Sequence, residues 1–226
     1  MNQRLKNVVT LLTAACAIAV AANASAQSAG QFSAKIGAGK IAQERDSGNL
    51  SAPALPGSKV TVGSATAPVL IVAYGLTDSI LAELDLGLPY KHKLAGAGAL
   101  AGTGQLGTVE VLRPSATIQY RFFPPQATVR PFVGLGVTYA YFQKETGSGK
   151  LTALLNTGGP ATTFTMGAKA AATLQAGVAV NIDPRWFVDL TVTKSKLETQ
   201  VRYSTGQTHS VRLDPLAVIV AVGYKF

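Results

Sequence analysis

Apolar and polar residues alternate with a period of two along most of the chain, as in strands that present one face to an apolar environment. The clearest run is the last. From Leu216 onward every even position is bulky (Leu216, Val218, Val220, Val222, Tyr224, Phe226), and the odd positions are Ala217, Ile219, Ala221, Gly223 and Lys225. Seven earlier runs read as strands, at residues 31–41, 68–76, 80–90, 109–123, 129–142, 164–180 and 186–197; six alternate in the same way, and 68–76 is apolar on both faces. In the sixth, Phe164, Met166, Leu174, Val178 and Val180 are assigned to one apolar face.

The connections between these runs alternate in length. Residues 42–67, 91–108, 143–163 and 198–209 are long, and residues 77–79, 124–127 and 181–185 are short. An even number of strands with that alternation predicts an all-β fold. It is an eight-stranded antiparallel transmembrane β-barrel with short periplasmic turns and long extracellular loops. Both termini then lie in the periplasm. A soluble barrel would need its apolar face inside, whereas the residues opposite the bulky face here are Gly, Ala, Thr and a few charges. Aromatics cluster near strand ends, as interfacial girdles do.

Composition supports export and a membrane. Hydrophobic residues make up 47% of the 226-residue chain and charged residues 14%. The start carries Arg4 and Lys6, an apolar run at 8–22 and Ala24-Ser25-Ala26, which predicts a signal peptide over residues 1–26 and one barrel domain over 27–226. Cys16 is the single cysteine and would leave with that peptide, so disulfides and thiol chemistry are excluded from the rest. Beyond the peptide 18 basic residues face 11 acidic ones. In an exported chain this balance points to outer-membrane lipid and lipopolysaccharide, not to nucleic acid.

Several segments resemble the OmpW family of eight-stranded outer-membrane proteins, which includes AlkL-type alkane-uptake proteins. They are DSILAELDLGLPYKHKL from Asp78, LRPSATIQYRF from Leu112, VRPFVGLGVTYAYF from Val129 and SVRLDPLAVIVAVGYKF from Ser210. The resemblance implies a monomeric barrel that carries small hydrophobic solutes across the outer membrane. Phe226 resembles the C-terminal signal used by barrel-assembly machinery.

Alternating strand directions sorts the inward residues by height. Lys35, Glu83, Asp85, Arg121, Arg130, Asp189 and Lys225 fall near the periplasmic end. Ile41, Val69, Ile71, Val111, Leu197, Ala217 and Ile219 fall near the outer end. A barrel of this size is filled by its side chains, and buried charges must pair. A salt-bridged plug below an apolar cup follows. A hydrophobic solute entering the cup would then leave sideways into the bilayer. Proline interrupts a strand ladder, so Pro68, Pro89, Pro114 and Pro215 are candidates for a lateral opening, with Pro114 the strongest. Pro68, Pro89 and Pro215 can equally mark strand ends.

Other chemistry is thinly represented. His92 and His209 fall near the extracellular rim and lack accompanying carboxylates or thiols, His209 and Ser210 point to opposite strand faces, and Glu83 with Asp85 reads as structural ion pairing. No catalytic residue, metal or cofactor is expected. A loop-based structural or receptor barrel and a narrow ion-conducting pore stand as the alternative functions.

Overall fold

The structure, a computed structural model, describes residues 29–43, 49–51 and 56–226. The signal-peptide reading lies outside these residues. In chain order the elements are β1 (Phe32–Ala42), β2 (Ser58–Val62), β3 (Ala65–Gly75), β4 (Ile80–Asp85), β5 (Tyr90–Gly98), β6 (Gln105–Leu112), β7 (Ser115–Arg121), β8 (Val129–Gly147), α1 (Gly149–Leu155), β9 (Phe164–Met166), β10 (Lys169–Asn181), β11 (Trp186–Ser195), β12 (Glu198–Tyr203), β13 (Thr208–Arg212) and β14 (Leu216–Lys225). Among the described residues they make an all-β, closed, eight-stranded antiparallel barrel with one short helix. The seam pairs β1 with β14, from Ser33 opposite Lys225 to Ala42 opposite Leu216. Ladders β1–β3, β3–β4, β4–β7, β7–β8, β8–β10, β10–β11 and β11–β14 complete the circle. Closure leaves this inner ring without a free edge.

Six of the eight strands are interrupted part-way: at 63–64, 86–89, 113–114, 167–168, 196–197 and 213–215. Beyond the interruptions the wall divides into a β2–β5–β6–β8 sheet and a β9–β12–β13 sheet. This wall extends further than the sequence predicts. β5 and β6 occupy most of 91–108, and the β12–β13 hairpin occupies most of 198–209. Glycine and alanine hide the alternation there, yet Leu94, Leu106 and Val109 still point inward. In the long connection at 143–163, Ser148 caps α1 by accepting a hydrogen bond from Leu151 N–H, and α1 sets Leu151 into the interior.

Three interruptions also reverse which positions face inward. In β4 the buried positions are odd (Leu81, Glu83), but in β5 they are even (Tyr90, His92, Leu94). β2 and β3 differ in the same way across Gly63-Ser64, and β9 and β10 across Gly167-Ala168. A one-residue offset moves a whole strand to the other face. Phe164 and Met166 are consequently buried, not on the lipid face with Leu174 and Val180 as the sequence reading has them.

The outer surface of the inner ring is apolar, with Ile36, Leu135, Leu174 and Val220 exposed. Aromatic pairs Phe32–Tyr74, Tyr120–Phe122 and Trp186–Tyr224 edge it at the short-turn end. Outward Lys40, Lys91, Lys93, Lys169 and Lys194 edge the other end. Among the described residues no helix is long and apolar enough to cross a membrane. Gly223 is required by close packing. A Cβ there would strike the ring of Phe187, which is wholly buried.

Candidate functional site

The barrel axis is filled in layers. At the short-turn end, Arg130 donates to the carbonyls of Asp78 (2.7 Å) and Phe123 (3.2 Å), and Lys225 donates to Asn181 Oδ1 (2.8 Å). Above them Lys35 Nζ reaches Glu83 Oε2 at 2.6 Å and Asp189 Oδ2 at 3.3 Å. Arg121 approaches Asp189 at 3.7 Å and lies over the rings of Phe132 and Phe187. Two cations thus share two carboxylates in a water-excluded slab. Such a cluster persists only because each charge has an opposite neighbour. Asp85 sits apart, its Oδ1 accepting from Gly87 N–H at 3.0 Å.

The next layer has two sides. On one, Ile41, Val69, Ile71, Ala217 and Ile219 pack with Ala65, Ala67 and Tyr90 into an apolar cluster. On the other, hydroxyls form a chain, Ser115–Thr138–Thr173–Ser195, at 2.8, 2.6 and 2.7 Å. Gln175 donates to Thr117 beside it. A cavity of about 10 Å³ bordered by Asp85 and Arg113 separates the two sides.

Higher still, a cavity of about 20 Å³ lies on the axis, lined by Ile41, Gln43, His92, Val111, Arg113 and Leu197 among others. It holds about one water-sized group. A larger apolar cluster closes over it, including Val111, Phe142, Leu151, Phe164, Leu197 and Tyr203. The residues expected to form a cup therefore all point inward, but they are packed against one another and not arranged around open space.

The sequence matches the OmpW family over residues 28–226. The chain belongs to the OmpW family. Outer membrane protein W of Salmonella typhimurium strain LT2 is 35% identical over 162 residues, which is 70% of this chain and 71% of that protein. A Pseudomonas aeruginosa relative, the dibenzothiophene metabolism operon protein PahQ, is 26% identical over 181 residues, 78% of this chain and 79% of that protein. The crystal structure of OprG from Pseudomonas aeruginosa superposes with a TM-score of 0.80 at 22% identity, covering 90% of this chain and 99% of that one. This OmpW-family chain is an outer-membrane β-barrel, and its relatives are outer-membrane barrels of Gram-negative bacteria.

The four prolines of this OmpW-family barrel differ in setting. Pro114 lies between β6 and β7, but its carbonyl accepts from Tyr139 N–H at 2.9 Å, and ladders to β8 resume on both sides. Pro215 lies between β13 and β14 with its carbonyl bonded to Ser195 N–H. Pro68 is within β3, and Pro89 precedes β5. Across those two strands the β3–β4 ladder stops at Ile71 opposite Asp85, and the β2–β5 ladder resumes at Val62 opposite Leu94. Between the ladders Leu86 donates to Leu70 O, Leu88 to Pro68 O and Gly63 to Lys93 O. The wall between the second and third barrel strands is thus sparsely bonded at the height of the upper cavity.

Sequence reasoning missed Arg113, His92 and the hydroxyl chain. Arg113 borders both cavities and stands between the charged slab and the upper cluster. The sequence pattern places His92 at the outer rim, but it points into the barrel because the inward positions switch between β4 and β5. His92 and His209 are both buried, on β5 and β13, and the Tyr203 ring stacks on His209 at 5.9 Å. Outward neighbours on β12 and β13 are Glu198, Gln200, Arg202, Ser210 and Arg212, so this hairpin stands beyond the apolar belt. Burial pushes His209 down to about 4. Among the described residues no group of three or more His, Asp or Glu side chains could hold a metal ion.

Proposed function

We propose that the protein is a passive outer-membrane channel for small hydrophobic molecules, with its termini in the periplasm and its split wall outside. The observation that carries this reading is vertical segregation of the interior. Mostly apolar side chains line the upper half, with Arg113 at its lower border, and the Lys35–Glu83–Asp189–Arg121 slab closes the axis below. A hydrophobic solute gains about 0.8 kcal/mol for each CH₂ it buries among apolar groups. It gains nothing by entering a slab of ion pairs. Its favourable exit is sideways into lipid, through the sparsely bonded wall at Pro68 and Pro89. Pro114 and Pro215 support such an exit less well, since the ladder breaks there span only residues 113–114 and 213–215, against 63–70 beside Pro68.

The outward lysines at the split end suit the anionic, lipopolysaccharide-rich leaflet. The name of the relative PahQ, which mentions dibenzothiophene metabolism, agrees with an apolar substrate class. Solute entry requires the upper cluster to part. Uptake of a radiolabelled alkane into proteoliposomes containing the purified monomeric barrel tests the reading. Rates equal to protein-free vesicles would reject it.

The packed upper cluster favours one other reading, a structural or receptor barrel acting through its outer loops. It predicts no solute flux in the same assay. A narrow ion pore predicts single-channel conductance, which the charged slab opposes.

A further inference from the structure

The upper cavity contains polar atoms that the packing leaves unsatisfied. His92 is wholly buried, and its Nδ1 lies 2.7 Å from Gly63 O. A carbonyl oxygen only accepts, so Nδ1 carries the proton and donates. In the neutral ring, Nε2 is then a bare lone pair. Nε2 has no hydrogen-bond partner, and neither do Gln43 Oε1 and Arg113 Nε. All three residues line the same cavity of about 20 Å³. It therefore offers two acceptors and one N–H donor to a single small group.

That pattern discriminates among ligands. A hydroxyl donates one hydrogen bond and accepts others, so it can serve a lone pair and the Arg113 N–H together. An ionised carboxylate accepts only, and would set its charge against two lone pairs. Arg113 gives it little net attraction, because Asp85 borders the lower cavity with the same guanidinium. An alkane would leave all three polar groups unpaired. The remaining wall, including Ile41, Val111, Phe142, Leu197 and Leu213, is apolar, and a tail attached to the hydroxyl is accommodated only where the upper cluster parts.

We propose that this cavity is a hydroxyl-recognition site within the solute path, selecting apolar molecules that carry one hydroxyl over alkanes and carboxylates of equal length. The proposal deepens the uptake reading and rests on it. Buried groups built to bond a hydroxyl reject the analogue that lacks it.

The test uses the full barrel in lipid nanodiscs with 1-octanol, octane and octanoate as probes. Octanol binds about tenfold more tightly than either other probe, and its C1 protons give intermolecular NOEs to the His92 ring while its terminal methyl does not. His92→Phe lowers octanol affinity about tenfold and leaves octane unchanged. Should that variant not yield a folded barrel, Gln43→Met supplies the same comparison. Equal binding of octanol and octane, tight octanoate binding, or NOEs from the methyl end would overturn the proposal. So would a resident water at His92 that octanol does not displace. Proteoliposome flux is measured in parallel. Absence of flux with the NOE pattern intact removes the uptake reading and leaves the site.

Discussion

Lys35 Nζ and Glu83 Oε2 stand 2.6 Å apart in the barrel axis, with the lysine wholly shielded from solvent. Removing one member strands the other charge, which costs about 3–5 kcal/mol for a buried pair. Lys35→Met should therefore lower the urea midpoint of the heat-modifiable barrel sharply. The double variant Lys35→Met/Glu83→Leu should recover most of the loss. Equal loss in single and double variants would show that the slab does not work through charge pairing.

Exit through the wall at Pro68 and Pro89 is tested by restoring backbone donors there. Pro68→Val with Pro89→Val should slow alkane uptake into proteoliposomes several-fold, by letting the second and third barrel strands zip together. Pro114→Val should leave uptake unchanged, because the wall at Tyr139 is already bonded. The reverse ranking would return the exit to Pro114.

The β12–β13 hairpin should weaken in mild acid. In the folded wall His209 is held neutral, with its pKa pushed down to about 4 by burial. In an unfolded hairpin it titrates near the ordinary value of about 6.5. The unfolded state therefore binds the extra proton between these values. Its contribution to stability is whole above about pH 6.5 and falls as pH drops toward 4. Urea midpoints at several pH values should show this slope, and His209→Phe should flatten it.

Phe226 donates its backbone N–H to Phe32 O at 3.0 Å and packs its ring against Tyr224. Deleting it should reduce the amount of heat-modifiable protein recovered from outer membranes before it changes flux per barrel. Wild-type recovery would separate this residue from the assembly machinery.

Alternation alone carries much of the architecture. Parity places Lys35, Glu83, Arg121 and Asp189 inward, and direction places them at one height, where ion pairs join them. It fails where a strand changes phase. Nothing in the run 80–90 signals that Gly87 and its neighbours reverse the inward positions, so His92 is misread as an outer-rim residue. Chain direction cannot say what a turn offers either. Arg130 is drawn to the carbonyls of Asp78 and Phe123, and Lys225 to the side-chain oxygen of Asn181. The hydroxyl chain from Ser115 to Ser195 is invisible for a third reason. Its members come from four strands, and only register aligns them.

The β1–β14 seam has a kinetic consequence. The two strands joined there lie at opposite ends of the chain, so no partial translation product can complete the ring. Until β14 is available, β1 keeps a row of open amides, and in hydrocarbon each such group is severely penalised. In a chain of this topology the ring closes only after β14 has been made, so closure is the last step of assembly.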